Sequence, residues 1–150
     1  MKRQGGFTLI EMIVVIVILG ILAVTAAPRF LNFQDDARTA ALQGLKGAID
    51  GANSVVYGRA AIDGQTGGTG EVNDIDLVWG YPDASETGIG AAVIGLNTDD
   101  WEAQWSTPAG TSRFTLSGGT FTATDQCVIF VQSTGNNVAP TVTIGACATP

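Results

Sequence analysis

The apolar residues divide the chain into an apolar N-terminal segment, an amphipathic segment and a mixed remainder. An almost unbroken apolar run extends from Phe7 to Ala27, and Glu11 is its single charged residue. As an α-helix these 21 residues would span about 30 Å, the thickness of the hydrocarbon core of a bilayer. The pattern therefore predicts a helix that lies in lipid or in a core of packed helices.

Beyond Arg29, apolar residues recur at spacings of three or four, which predicts that the helix continues as an amphipathic helix to about Ala60. Several glycines lie in this part. They either let a sheet or another helix approach closely, or are tolerated in a helix held by packing. The predicted buried stripe consists of Phe30, Phe33, Ala37, Ala41, Leu45, Ala48, Ala52 and Val55.

Two residues weaken the apolar half of this helix. Gly20 lowers helix stability, and Pro28 lacks an amide donor and clashes with the carbonyl four residues earlier, near Val24. The sequence therefore predicts a kink or a melted segment before Pro28.

The last 40 residues are typical of β-strands. SRFTLS and TVTIGAC alternate apolar and polar residues, CVIFVQS has a dense apolar centre, and glycine-rich turns separate these stretches. Together with the helix they predict an α+β fold. In that fold the long N-terminal helix, apolar in its first half and amphipathic in its second, packs on a C-terminal antiparallel sheet of three or four strands.

The region between helix and sheet is acidic and rich in glycine. It has nine acidic residues between Asp63 and Glu102, and no Lys or Arg occurs between Arg59 and Arg113. Carboxylates could bind Ca²⁺, but the spacing of a calcium-binding loop is absent, so a solvated acidic face is favoured over a metal site. The segment around 77–79 is predicted to be extended, and GIGAAVIGL to be a short helix or a buried strand.

Composition narrows the classes of function. The net charge of −7 disfavours nucleic acid as a partner, and the chain contains no His, so catalytic arrangements and zinc sites that need His are absent. No catalytic residue, metal site or cofactor is predicted. The adjacent carboxylates Asp99 and Asp100 are the only candidates for an enzyme, and solvation of such a pair is the commoner outcome.

The N-terminal run has three interpretations. It could be a secretory signal, although it is long for one, or a plain membrane anchor, which gives no reason for a carboxylate at Glu11. In the third, the chain is cut after Gly6 and the apolar part is retained. Phe7 then carries a new cationic amine, which could meet Glu11 one turn away or on a neighbouring chain.

The stretch GGFTLIEMIVVIVILGILAVTAAPRF resembles the N-terminus of type IV pilins. The resemblance implies cleavage by a prepilin peptidase between Gly6 and Phe7, N-methylation of Phe7, and pairing of Glu11 with the amine of an adjacent subunit. It also implies that Gly20 and Pro28 bracket a stretch that loses helicity in the filament. Residues 1–64 further resemble the mannose-sensitive haemagglutinin type among the type a pilins.

The two cysteines, Cys127 and Cys147, are more typical of a disulfide than of a metal site in an exported protein. Their position near the C-terminus matches the disulfide that type IV pilins carry. The resemblance implies that this disulfide encloses a region exposed on the filament surface.

The resemblance implies a pilin fold with a leader (1–6), a transmembrane and filament-core helix segment (7–28) and a globular domain (29–150). Within the globular domain we expect the amphipathic helix over 29–60, an acidic variable region over 61–111 and the sheet with its disulfide over 112–150.

We therefore expect the major subunit of a homopolymeric surface filament that serves adhesion, with biofilm formation or motility as further uses. Its expected partners are further copies of itself, the prepilin peptidase, the pilus assembly machinery and, before assembly, the inner membrane; the receptor is unknown. The assembled filament is expected to be extracellular. A pseudopilin of type II secretion is the main alternative, and a membrane-anchored acidic enzyme is the remote one.

Overall fold

The computed structural model describes residues 6–96, 98, 100–106 and 109–147, except for the side chains of 27–32. The chain forms two compact units, Met1–Thr39 and Ala40–Pro150. The elements, in chain order, are α1 (Leu9–Ile62), β1 (Thr69–Val72), β2 (Ile75–Val78), β3 (Tyr81–Pro82), α2 (Ile89–Ala92), β4 (Trp101–Gln104), β5 (Thr111–Leu116), β6 (Gln126–Val131) and β7 (Thr141–Ala146).

The first unit contains the N-terminal part of α1. Its segment Leu9–Ala26 is long and apolar enough to cross a membrane by length and composition, a test that a signal sequence also passes. Within the described part of the chain, none of this segment is buried. Apolar side chains left in this state need lipid or other protein to cover them.

The second unit contains the antiparallel sheet that the C-terminal alternation predicts. Its four strands lie in the order β4-β5-β6-β7, each paired with its neighbour in sequence. Its long strands, β5, β6 and β7, fall on the three predicted stretches. With the long apolar helix, this sheet confirms the predicted α+β pilin-type fold. Strand β4 was missed because WEAQ is too short and too polar to stand out as a strand.

The main core joins the amphipathic part of α1 to the inner face of the sheet. Leu42, Leu45 and Ile49 belong to one buried cluster with side chains of β5, β6, β7 and α2. Phe114 and Phe130 are its largest fully buried members. This shared core makes the helix and the sheet a single packed unit.

The helix face that enters this core is rotated from the predicted stripe. Leu45 is buried as expected, but Phe33 is 71% exposed and Val55 is 73% exposed. The expected stripe contains several alanines. The residues that pack in the core are mostly larger and lie one position further along the helix. The residues of this face that the structure buries are Leu42, Leu45, Ile49, Asn53, Val56 and Ala60.

The glycines of this half do not face the sheet. A Cβ added at Gly44, Gly47, Gly51 or Gly58 would meet nothing within 4 Å in the chain. The structure therefore gives no support for a close approach by another part of the same chain, and favours glycines tolerated in a packed helix.

The part of the chain between α1 and the main sheet forms a second, smaller sheet. Its strand order is β1-β2-β3. Both connections are two-residue hairpins, through Asn73-Asp74 and through Trp79-Gly80, and all four residues have positive φ. Such turns match the twist of paired strands. The sheet packs on the end of α1 in a second core of Val56, Ala60, Val72 and Leu77.

Candidate functional site

The N-terminal site is built on the first turn of α1. Gly6 and Phe7 precede the helix and are exposed, with Phe7 83% exposed. The bond between them, which the sequence predicts to be cleaved, thus lies in non-helical chain. A peptidase can reach such a bond without first unwinding a helix.

Thr8 and Glu11 cap the helix reciprocally. The backbone N–H and the hydroxyl of Thr8 both donate to Glu11 Oε2, each at 2.7 Å, and the Glu11 N–H donates to Thr8 Oγ1 at 3.3 Å. This is the capping box of a Thr-x-x-Glu sequence, which satisfies amide donors that have no partner within the helix. The Thr-x-x-Glu spacing is visible in the sequence, although the resemblance to type IV pilins singles out Glu11 alone.

The hydrogen bonds of Glu11 leave one oxygen available. In the part of the chain that the structure describes, both bonds that the carboxylate accepts go to Oε2. The side chain shares a shallow groove with Phe7, Ile10 and Val14. Oε1 could therefore accept a further hydrogen bond without displacing Thr8 from Oε2.

Gly20 and Pro28 both lie inside α1. Near them, the hydroxyl of Thr25 donates to the carbonyls of Ile21 and Leu22 at 3.3 and 3.0 Å. Bonds of this kind weaken the regular helix ladder slightly. The loss of helicity concerns the assembled state and stays a prediction.

Cys127 and Cys147 are joined by a disulfide, with an S–S distance of 2.00 Å. Both residues are fully buried. The bond ties the start of β6 to the end of β7, where Cys127 lies opposite Gly145 in the register. It fixes the edge strand β7 to its neighbour β6 near the C-terminal end of β7.

The remaining candidate residues do not assemble into a catalytic or metal site. Asp99 lies outside the described residues, and Asp100 is exposed. Among the described residues, no group of three or more His, Cys, Asp or Glu could hold a metal ion. Trp101 and Trp105 pack against the main core, and Trp79 lies in the turn between β2 and β3.

A second site was missed by the sequence analysis. Tyr57 of α1 stacks on Tyr81 of β3 with ring centroids 4.4 Å apart. Burial raises the pKa of the Tyr81 hydroxyl above its ordinary value, and the neighbouring Tyr57 raises it further. The two residues lie 24 positions apart in separate elements, so no local pattern could reveal the pair.

Known proteins resemble part of this chain. The family described as the prokaryotic N-terminal methylation motif matches residues 1–27. The type IV narrow pilus major component PilA5 of Thermus thermophilus is 43% identical over 53 residues, which are 35% of this chain and 46% of that protein.

Two further relatives are type II secretion system core proteins G. The Pseudomonas aeruginosa protein is 45% identical over 51 residues, 34% of this chain and 36% of its own length. The Klebsiella pneumoniae protein is 44% identical over 54 residues, 33% of this chain and 39% of its own length. This chain thus spans less than half the length of each of these relatives, and no solved structure matches it.

The N-terminal motif and these relatives make this chain similar to type IV pilins and to type II secretion system core proteins G. The relatives are structural pilins and pseudopilins rather than enzymes. The segment Leu9–Ala26, long and apolar enough to cross a membrane by length and composition, is consistent with this similarity.

Proposed function

We propose that the chain is the major structural subunit of a type IV pilus that serves adhesion. A prepilin peptidase cuts the precursor after Gly6, and Phe7 becomes the N-methylated first residue of the mature subunit. The subunit resides in the inner membrane before it assembles into an extracellular homopolymer. The observation that carries this proposal is the segment Leu9–Ala26, which the described residues leave unburied.

The apolar segment has two environments that hide it from water. In the membrane, lipid covers it; in a filament, the same segments of neighbouring copies cover it. Because both environments are apolar, the transfer does not expose the segment to water at the full hydrophobic cost. A head-to-tail contact that does not close into a ring then produces an open helical filament.

Glu11 sets the axial register in this proposal. Thr8 holds Oε2 of the carboxylate, and no bond to Oε1 occurs among the described residues, so Oε1 can accept from an incoming amine. Cleavage before Phe7 creates that amine on each copy. A carboxylate in an apolar core is costly unless it is paired, so the contact is satisfied only at the correct offset between subunits.

The assignment to a pilus is supported by the disulfide of the sheet unit and by the relative that is itself a major pilus component. We further propose that the helix melts between Gly20 and Pro28 on assembly. Pro28 cannot donate to the carbonyl of Val24, so this stretch lacks one of the hydrogen bonds of a regular helix.

The second candidate function is a pseudopilin of type II secretion. The observation that favours it is the identity of 45% over 51 residues and of 44% over 54 residues to two core proteins G. In that case the polymer would be a short structure of the secretion apparatus. Cells that lack the gene would then retain proteins that are normally secreted.

The test compares Glu11→Gln with the matched exposed variant Glu71→Gln in cells that lack the natural copy. We expect both precursors to be processed and membrane-bound. Filaments sheared from the surface should be abundant for Glu71→Gln and nearly absent for Glu11→Gln, as seen by electron microscopy.

Mass spectrometry of the sheared material should find a chain that starts at methylated Phe7. A chain that starts after Ala27 would show an ordinary signal peptide instead. Absence of surface filaments together with a secretion defect in the deletion strain would support the pseudopilin.

A further inference from the structure

The full chain contains two tyrosines, and the fold brings both into one contact. Tyr57 lies on α1 and Tyr81 on β3. Their ring centroids are 4.4 Å apart, and the angle between the ring planes is 18°. At this separation the carbons of the two rings are in van der Waals contact across the stack. The fold therefore holds two phenols face to face.

The backbone beside Tyr81 fixes the stack in place. A Cβ added at Gly80 would lie 3.2 Å from Tyr57 Cδ2, and φ at Gly80 is +83°. The hairpin turn therefore needs glycine to bring β3 this close to α1. Tyr81 is paired with Val78 across the same hairpin. Both rings are thus carried by regular secondary structure rather than by a loop.

The stacked rings are accessible to small molecules. Both are half-buried, and both line a surface groove of about 380 Å³ in the unit Ala40–Pro150. The exposed residues Asp50 and Ser54 line the same groove, so water reaches it. A small oxidant can therefore approach these phenols, which a pair in the closed core would not allow.

The pair lies where the small sheet meets the helix. This junction is held by the second core, in which Val56 and Ala60 of α1 pack on Val72 and Leu77 of the sheet. Both cysteines of the chain are used between β6 and β7, so the small sheet is held to α1 without a disulfide. A bond between the two tyrosine rings would supply a covalent link at this junction.

We propose that Tyr57 and Tyr81 are a site of oxidative cross-linking, at which a one-electron oxidant derived from a peroxide joins the two rings as dityrosine. Each phenol loses one electron and its hydroxyl proton, and the protons pass to water in the groove. The two phenoxyl radicals then form one carbon–carbon bond between ring positions adjacent to the hydroxyls. The ring hydrogens at these positions move to the oxygens and restore two phenols.

The oxidant completes the balance of this step. The O–O bond of the peroxide breaks as it accepts the two electrons, and with two protons hydrogen peroxide becomes two molecules of water. The protein loses two hydrogen atoms and nothing else. Because the rings are already in contact, coupling within one chain needs no diffusive encounter between two chains.

The cross-link would act as a staple on the small sheet. It closes the chain between positions 57 and 81, which lowers the conformational entropy of the unfolded state. A carbon–carbon bond also resists reductants, unlike the disulfide of the main sheet. The proposal concerns the single chain and does not depend on assembly into a filament.

The experiment oxidises the full chain in detergent. Tris(bipyridyl)ruthenium(II) and persulfate generate the one-electron oxidant during brief illumination, and the O–O bond of persulfate accepts the electrons and gives sulfate. We expect a fluorescent product at the monomer position of a denaturing gel, lighter than the untreated chain by two hydrogen atoms. Trypsin cuts after Lys46, Arg59 and Arg113, so the cross-link should join peptides 47–59 and 60–113.

The matched control moves one phenol by two positions along α1, with Val55→Tyr and Tyr57→Phe together. Val55 is 73% exposed, and residues two apart on a helix face different directions. This chain should give dimers linked between molecules but no linked monomer. A linked monomer as abundant as that of the unsubstituted chain, or none from the unsubstituted chain, would overturn the proposal.

The single variants Tyr57→Phe and Tyr81→Phe keep both rings, so they test the coupling even if the relocated phenol disturbs folding. Each should lose the linked monomer and give dimers at most. A monomer lighter by two hydrogen atoms and joined between the same peptides in either variant would contradict coupling of the two tyrosines.

Hydrogen exchange tests the staple itself. After cross-linking, the amides of β1 and β2 should exchange several-fold more slowly, while those of β6 and β7 should not change. Unchanged exchange in β1 and β2 would show that the link does not stabilise the small sheet. Filaments enter none of these measurements, so a failure here leaves the proposed function untouched.

Discussion

At the scale of single residues, the carboxylate of Glu11 can make two contacts through its two different oxygens. In the single chain its Oε2 caps the helix through Thr8. In the proposed filament its other oxygen pairs with an amine. A carboxylate has enough lone pairs for both, so the cap need not be broken on assembly. Thr8 then positions Glu11 rather than competing for it.

Removal of the cap should loosen the first turn of α1. Thr8→Ala deletes the hydroxyl that accepts from the Glu11 N–H, and loss of such a cap costs about 0.5–2 kcal/mol. Hydrogen exchange of the full chain in detergent should quicken at the Glu11 amide. Thr8→Ser keeps the hydroxyl and should exchange like the unsubstituted chain. Unchanged exchange in Thr8→Ala would contradict the cap.

The tyrosine pair makes the stability of the chain sensitive to alkali. The pKa of Tyr81 is raised in the folded chain by burial and by Tyr57, so the folded state holds this proton more tightly than the unfolded state. The stabilisation is fully present below the unfolded pKa of about 10 and is lost as pH rises through the folded pKa.

Chemical unfolding of the full chain in detergent, followed at several pH values, measures this effect. The free energy of unfolding should fall above about pH 10, and Tyr81→Phe should reduce the fall because it removes the ionising group. Equal pH dependence in both chains would show that the pair does not affect stability.

At the scale of elements, the sequence predicts those helices and strands whose apolar residues recur at regular spacings. The apolar run, the length of the helix and the alternation of β5 and β7 are local signals, and the structure contains all of them. The face of α1 was misplaced because alanine fits either a core or a surface. The short β4 and the hairpin of β1 and β2 depend on tertiary pairing, as does the contact of Tyr57 with Tyr81.

The buried face of α1 can be tested with two substitutions six residues apart on the helix. Ile49 is fully buried, so Ile49→Ala should cost about 2–5 kcal/mol. Val55, from the predicted stripe, is 73% exposed, and Val55→Ala should change stability by less than about 0.5 kcal/mol. Tryptophan fluorescence during chemical unfolding measures the free energy of unfolding of both variants. A similar loss of stability in the two variants would support the predicted stripe instead.

At the scale of the whole molecule, the two units differ in what stabilises them. The N-terminal unit has an apolar surface that needs lipid or other copies. The sheet unit has its own cores and a disulfide. A subunit of this kind can stay folded while its helix exchanges one apolar environment for another. This division is what a protein needs if it is stored in a membrane and used in a polymer.

The disulfide should protect the sheet unit independently of assembly. Cys127 and Cys147 lie 20 residues apart, and in the chain-entropy model such a link stabilises by about 3 kcal/mol. The double variant Cys127→Ala/Cys147→Ala should lose roughly this amount, with hydrogen exchange rising mainly in β6 and β7.

Because both cysteines are buried, a reductant should act on the unsubstituted chain only under conditions that unfold it. Mass mapping without reductant should then recover the linked peptides from intact filaments. Free thiols in mature filaments, or equal stability of the double variant, would contradict the assignment. If the loss of stability is found but filaments still form, the disulfide maintains the exposed unit and the helix alone directs polymerisation.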